Sequence, residues 1–174
     1  GVAYVDEDID LGGGRSLMVP VPFARLLQLA EIGVDEVVLD VGCATGYSAA
    51  VLARLASTVV ALESDAELSS RATALLAELG VDNVAVVTGP LAAGDASHGP
   101  YNVIVLEGAV SHIPASLTAQ LADGGRLVAV VGGESGIGRA TVVVRTGETL
   151  TSRVAFDAAV GALPGFELAP GFVF

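Results

Sequence analysis

The chain has 174 residues, enough for one domain with a sizeable core, and 52% of them are hydrophobic while 16% are charged. This composition excludes an intrinsically disordered chain. The formal net charge of −12 repels phosphate, and no apolar stretch reaches the about 18 uncharged residues of a membrane-spanning helix. The single cysteine, Cys43, allows no internal disulfide and fits a reducing compartment. We therefore predict a cytoplasmic protein that binds neither nucleic acid nor membrane.

Strand-like and helix-like segments alternate along the chain. Residues 1–19 are rich in glycine and acidic residues and are predicted to form an irregular lead-in. Short apolar runs predict buried parallel strands at Val37–Gly42, Thr58–Ser64, Asn83–Gly89, Tyr101–Gly108 and Arg126–Gly132. Helical spacing predicts helices from Pro20 to Gly33, from about Thr45, from the N-cap Asp65 to Gly80, and within Ile113–Gly125.

The C-terminal part has a different pattern, with two β-rich runs around Thr146-Gly147-Glu148 that predict a hairpin. Five βα alternations are typical of a doubly wound α/β fold. We therefore predict a mostly parallel, seven-stranded, Rossmann-like sheet with a terminal antiparallel hairpin. Residues 20–174 are expected to form one ligand-binding domain, preceded by the lead-in.

The first βα turn is the candidate ligand site. It runs from Asp40 to Tyr47 with the pattern D-V-G-C-A-T-G-Y, and Glu63 ends the following strand. An acid at that strand end can accept hydrogen bonds from the ribose of an adenosyl group or of a nicotinamide dinucleotide. Two features favour S-adenosylmethionine over a dinucleotide. The G-x-A-x-G turn is shorter than the dinucleotide pattern G-x-G-x-x-G. In addition, Asp40 suits the cationic amino group of S-adenosylmethionine and would repel a pyrophosphate. An ordinary βα turn with an acid at its strand end is the alternative.

Longer stretches resemble the protein-L-isoaspartate O-methyltransferase family. The similarity lies in VLDVGCATGYSAAVLARLA, in the run from Val59 to Gly89, in PYNVIVLEGAVSHIPASLTAQLADGGRLVAVVG, and in LGGGRSLMVPVPFARLL upstream. The resemblance covers roughly residues 3–135. It implies a methyltransferase fold, S-adenosylmethionine as cofactor, a protein or peptide substrate, and a further N-terminal helical segment.

Several positions depart from the family pattern. Met18 stands where the family has an active-site serine, and Ser16 replaces a threonine. Pro90 replaces an acid that holds adenine in the family and offers no N–H, and Asn102 replaces another acid. These changes motivate a second hypothesis, a cofactor-binding module that has lost isoaspartate activity.

The leading hypothesis is an S-adenosylmethionine-dependent O-methyltransferase that methylates a protein or peptide carboxylate, with repair of isoaspartyl damage as its role. A nicotinamide-dependent oxidoreductase is a weaker third alternative. Catalytic candidates are Ser16 and His112, although a loop histidine such as His112 is more often simply solvated. Arg15 and Glu107 are candidates for substrate contact, and no metal is expected. The expected cofactor-binding residues are Asp40, Gly42, Ala44, Gly46, Tyr47, Glu63, Gly89 and Leu91.

Overall fold

The computed structural model describes residues 9–132 and 136–167. The helices are α1 (Pro20–Ala30), α2 (Tyr47–Leu52), α3 (Ala66–Glu78) and α4 (Ala115–Thr118), with a 3₁₀ turn at Leu91–Ala93. The strands are β1 (Ile9–Gly12), β2 (Arg15–Leu17), β3 (Val37–Val41), β4 (Thr58–Glu63), β5 (Val84–Thr88), β6 (Tyr101–Val110), β7 (Leu121–Gly132), β8 (Gly138–Thr146) and β9 (Thr149–Ala158). None of the described helices is long and apolar enough to cross a membrane.

The main sheet has seven strands in the order β5-β4-β3-β6-β7-β8-β9. Strands β3 to β7 are parallel, and β8 and β9 are antiparallel to their neighbours. The doubly wound, mostly parallel sheet with a terminal hairpin is therefore confirmed. The chain builds outward from β3 to β5 and then returns to β6 on the other side of β3. This reversal opens a crevice at the carboxyl ends of β3 and β6, which is where open α/β sheets bind ligands.

Alternate residues of the central strands fill two separate cores. Val38 and Val103 pack with Phe23 and Leu26 of α1 on one face of the sheet. Their neighbours in the chain, such as Leu39 and Ile104, pack on the opposite face with Leu117 of α4. Burial on both faces explains why these strands read as continuous apolar runs in the sequence.

The N-cap expected at Asp65 is confirmed. Its carboxylate accepts hydrogen bonds from the backbone N–H groups of Glu67 at 2.8 Å and Leu68 at 3.0 Å. These are two of the donors that the start of a helix leaves without an intrahelical partner. The cap fixes the start of α3 directly after Glu63, the acid that ends β4.

The described part of the lead-in differs from the expectation of irregular structure. Residues 9–17 form an antiparallel hairpin in which Ile9 pairs with Leu17 and Asp10 with Ser16. Three consecutive glycines with φ between +62° and +83° make the reversal, a backbone conformation that side-chain-bearing residues rarely adopt. The glycine run, taken in the sequence as a sign of irregularity, is the turn of the hairpin. Residues 1–8 lie outside the described part of the chain.

The helix predicted within Ile113–Gly125 is too long. Helix α4 covers only Ala115–Thr118, and β7 already begins at Leu121, opposite Tyr101 of β6. Gly124 and Gly125 lie inside this strand and do not end a helix. A Cβ atom at Gly125 would lie 2.9 Å from the carbonyl oxygen of Tyr101, so this glycine permits close strand approach at an irregular step in the pairing.

Candidate functional site

The turn after β3 wraps around the end of β4. The N–H groups of Gly42 and Cys43 both donate to the carbonyl oxygen of Leu62, at 2.8 and 3.2 Å. Ala44 and Gly46 have positive φ angles of 49° and 92°. For a residue with a side chain, such as Ala44, this conformation carries a strain cost. This backbone conformation directs the N–H of Ala44 toward Glu63, where it donates to the Oε2 atom at 2.8 Å.

Glu63 is fully buried, and both of its carboxylate oxygens have donors. Its Oε1 atom accepts from the N–H groups of Ser64 at 2.8 Å and Asp65 at 3.1 Å. Its Oε2 atom accepts from Ala44 and from Nη2 of Arg15, the latter at 2.6 Å. Arg15, expected to face a substrate carboxylate, thus forms a buried ion pair with a carboxylate of the protein itself. The two residues are 48 positions apart, so sequence reasoning had no signal for this contact.

Two further buried acids, Asp40 and Glu107, lie at the start of the turn and beside it. Asp40 in β3 and Glu107 in β6 are buried on the same side of neighbouring parallel strands. The hydroxyl of Ser48 donates to Asp40 Oδ2 at 2.7 Å. Asp40 Oδ1 and Glu107 Oε1 are buried without a hydrogen-bond partner. Two buried carboxyls with free oxygens form a site that attracts a cation or retains a proton.

The electrostatics of these two carboxyls favour a retained proton. Burial raises the pKa of Asp40 to about 7, against the opposing hydrogen bond from Ser48, and the nearby charge of Glu63 adds to the increase. Burial, followed by the charge of Asp40, raises the pKa of Glu107 well above its ordinary value. Burial and the neighbouring carboxyls also raise the pKa of the Cys43 thiol, which suits a small buried hydrophobe and not a reactive thiol.

The site is almost closed in this conformation. A cavity of about 10 Å³ remains beside Glu107, lined also by Ser16, Leu17, Met18, Phe23, Gly42, Cys43, Tyr47 and Ser48. The hairpin covers one side of the turn, and the segment after β9 covers another. A Cβ atom on Gly42 would lie 2.7 Å from Leu163 Cδ2 and 3.7 Å from Arg15 Nη2. A ligand the size of an adenosyl group requires at least one of these covers to move.

The other expected cofactor residues surround Glu63 less directly. The Gly89 N–H donates to the Glu63 carbonyl oxygen at 2.9 Å, which places the end of β5 beside the end of β4. Leu91 follows in the 3₁₀ turn and is buried in the core of one sheet face. Tyr47 begins α2, is 46% exposed, and has its ring 6.1 Å from that of Phe23.

The two catalytic candidates line different cavities. Ser16 borders the small cavity at the turn, together with Met18 and Glu107. His112 is exposed and borders an open groove of about 820 Å³ between the loop after β6 and the face of β7 to β9. Its Nδ1 atom lies 2.9 Å from the hydroxyl of Ser111. The structure therefore does not bring Ser16 and His112 into a common cavity.

The strand order and the acidic turn define a protein with the methyltransferase type of α/β fold, and solved structures match it. A protein-L-isoaspartate O-methyltransferase superposes with a TM-score of 0.82 at 24% identity, covering 94% of this chain and 54% of that one. A putative protein-L-isoaspartate O-methyltransferase from Plasmodium falciparum, solved with S-adenosyl-L-homocysteine, gives a TM-score of 0.77 at 17% identity, covering 93% and 82%. At these identities the likeness establishes the fold alone.

Sequence comparison identifies the family. Residues 1–157 match the family model described as Protein-L-isoaspartate(D-aspartate) O-methyltransferase (PCMT). The chain belongs to this family, as its sequence motifs predicted.

Curated relatives agree with that assignment. The protein-L-isoaspartate O-methyltransferase of Koribacter versatilis is 41% identical over 130 residues, which are 75% of this chain and 59% of the relative. That of Roseiflexus castenholzii is 36% identical over 151 residues, 85% of this chain and 67% of the relative. The chain thus spans about three fifths of the length of several relatives it matches.

Proposed function

We propose that this chain is an S-adenosylmethionine-dependent O-methyltransferase acting on a carboxylate of a protein or peptide, with isoaspartyl residues as the substrate class. The observation that carries the proposal is the buried acidic turn, in which Asp40 retains a free oxygen next to Glu63. The family relatives bear names that state this activity. We assign cofactor binding to residues 20–174, with residues 1–19 contributing to the substrate side.

The residues at the amino-acid end of the proposed site fit the cofactor. Asp40 Oδ1 is buried without a partner, and Glu107 Oε1 beside it is in the same state. An ammonium group placed there would satisfy both oxygens and compensate their buried charge. Gly42 and Ala44, which form the bend, and Gly46, which begins α2, would supply the surrounding backbone.

The ribose end of the proposed site fits the cofactor once Arg15 has moved away from Glu63. Glu63 is the acceptor for ribose hydroxyls in this proposal, and its Oε2 atom is now paired with Arg15. Tyr47, Gly89 and Leu91 complete the proposed cofactor set, with Gly89 and Leu91 at the adenine end. Because Pro90 has neither an acidic side chain nor an N–H, adenine recognition here depends on shape and apolar contact.

The chemistry asks little of the protein in the way of proton transfer. When bound, the cofactor supplies a methyl group already activated by its sulfonium. A carboxylate acceptor is nucleophilic as it stands, so the chain's residues need only orient it and exclude water. We assign Ser16 to orienting the acceptor, because it lines the cavity beside Glu107. His112 would act as a base only for an acceptor that carries a proton.

A second candidate function is favoured by the closed turn. Met18 lies in the cavity wall, and Arg15 pairs with the acceptor for the ribose. A module that binds the cofactor without turnover would show these same features. The two candidates differ in methyl transfer and agree in cofactor binding.

Calorimetric titration of S-adenosylhomocysteine and transfer of a labelled methyl group to an isoaspartyl peptide test the proposal together. Binding is expected in the micromolar range, about −8 kcal/mol, with labelling of the isoaspartyl peptide and not of its aspartyl isomer. Glu63→Gln should weaken binding at least tenfold, and the exposed Glu78→Gln should not. Binding without transfer would establish the cofactor-binding module, and absence of binding would overturn both candidates.

A further inference from the structure

Arg15 donates to the carboxylate that the proposed function assigns to the ribose. Its Nη2 atom donates to Glu63 Oε2 at 2.6 Å and lies 3.4 Å from the carbonyl oxygen of Gly42. The residue is 7% exposed, and its Nη1 atom is buried without a hydrogen-bond partner. The guanidinium therefore lies on the cofactor turn with part of its hydrogen-bonding capacity unused.

Glu63 does not depend on Arg15 for its hydrogen bonds. Without the arginine, the carboxylate keeps three backbone donors, from Ala44, Ser64 and Asp65. Backbone N–H groups that converge on a buried carboxylate stabilise its charged form. The ion pair can therefore be exchanged for other hydrogen-bond donors, and ribose hydroxyls are such donors.

The element that carries Arg15 has few polar connections to the rest of the described chain. Strands β1 and β2 form a two-stranded sheet separate from the seven-stranded one. Among the described residues, the only side-chain hydrogen bonds that join this hairpin to the rest of the chain come from Arg15. Release of one side chain would thus remove the polar connection between the hairpin and the cofactor turn.

We propose that Arg15 is a displaceable occupant of the nucleoside site, which pairs with Glu63 in the free protein and leaves when an adenosyl ligand binds. The inference rests on the proposed function, because it takes Glu63 as the acceptor for the ribose. It adds a residue that sets cofactor affinity by competing with the cofactor. When the competent state is a minor one, apparent affinity falls by its fractional population.

The test is titration of S-adenosylhomocysteine into the wild type, Arg15→Ala, Arg15→Lys and a matched control, Arg153→Ala. Arg153 is exposed on the edge strand β9, and its removal changes the net charge by the same amount. Arg15→Ala should tighten binding about tenfold. Arg15→Lys, which keeps the charge but loses the planar fork, should bind with intermediate affinity. Arg153→Ala should match the wild type.

The outcomes separate this inference from the proposed function. If the wild type binds and Arg15→Ala binds equally or more weakly, the inference is wrong while the cofactor assignment stands. If the wild type fails to bind and Arg15→Ala binds, Arg15 blocks the site without being displaced, and both are overturned for the wild-type chain. If neither binds, both are overturned. Thermal melts of each variant identify one that does not fold, and Arg15→Gln then replaces Arg15→Ala with the same expected direction.

Discussion

Strand β3 has an arginine–glutamate pair near each of its two ends, and the two pairs are built differently. At the amino end, Glu36 precedes the strand and pairs with Arg126 of β7. At the carboxyl end, Glu63 of the neighbouring strand pairs with Arg15 over the turn that follows β3. The residue types are the same. The difference lies in how completely each guanidinium is hydrogen-bonded and in the polar groups that surround each pair.

The pair at the amino end, Arg126 and Glu36, is fully hydrogen-bonded. Two nitrogens of Arg126 donate to the two oxygens of Glu36 at 2.6 and 2.7 Å. The same guanidinium donates at 2.5 Å to the carbonyl oxygens of Ala30 and Glu31, at the end of α1. These bonds hold α1, β3 and β7 together. The hydrogen bond from Arg126 keeps the pKa of Glu36 below its ordinary value, in spite of partial burial.

At the carboxyl end, several buried polar groups lack hydrogen-bond partners. Arg15, Asp40 and Glu107 each have a buried polar atom without a partner. Of the three buried carboxyls there, only Glu63 forms an ion pair with an arginine among the described residues. Unsatisfied buried groups cost stability, and such costs are typical of places where a ligand supplies the missing contacts. One end of β3 therefore has a fully hydrogen-bonded ion pair, whereas the other keeps buried polar atoms that the proposed cofactor would satisfy.

The largest expected loss of stability is at the amino end. Arg126→Ala removes the bidentate ion pair and both bonds to the end of α1, and we expect a loss of about 3 kcal/mol in the free energy of unfolding. Chemical denaturation at pH 7 measures it. The exposed Arg153→Ala is the matched control and should change stability by less than about 0.5 kcal/mol. A loss as small as the control's would mean that this pair is no more structural than a surface one.

The next effect has the opposite sign and belongs to the carboxyl end. The pKa of Asp40 rises from an ordinary value of 3.8 to about 7 because of burial. In the unfolded chain this group releases its proton near pH 4, whereas the folded protein keeps it to near pH 7. The wild type therefore loses stability as pH rises between these values.

Asp40→Asn removes that titration. It should be close to the wild type in stability at pH 4 and more stable by up to about 4 kcal/mol at pH 8. The exposed Asp82→Asn should show no such dependence on pH. The same substitution should weaken binding of S-adenosylhomocysteine, since the carboxylate for its ammonium group is gone. A variant that is less stable at pH 8 would show that Asp40 contributes to the fold and not mainly to the site.

The sequence contains the parts of this arrangement that depend on neighbouring residues. Apolar runs ending in Asp40, Glu63 and Glu107 predict parallel strands, and parallel strands bring their carboxyl ends to one edge of the sheet. The N-cap at Asp65 is equally local. This is why the mostly parallel sheet, the terminal hairpin and the position of the acidic turn could be predicted from the sequence.

What the sequence did not contain depends on distant residues or on glycine geometry. The pairing of Arg15 with Glu63 spans 48 positions and requires the hairpin that the glycine run makes. Gly125, which resembled a helix end, is explained only by its closeness to the backbone of Tyr101. The roles of Ser16 and His112 remain predictions. The two residues border different cavities, which their positions in the sequence did not indicate.

The smallest expected effect uses acid to separate the two ends of β3. Because the pKa of Glu36 is lowered, its contribution to stability is present above its ordinary value of 4.5 and is lost as pH falls below that value. Since the pair is partly exposed, Glu36→Gln should cost at most about 1 kcal/mol at pH 7. The difference from the wild type should shrink as pH falls from 4.5 toward 3. Denaturation curves at pH 7 and pH 3 measure this, and Asp40→Asn in parallel should show its gain only at the alkaline side. If Glu36→Gln kept its full cost at pH 3, the effect would come from packing, and charge would no longer explain the stability of the amino end.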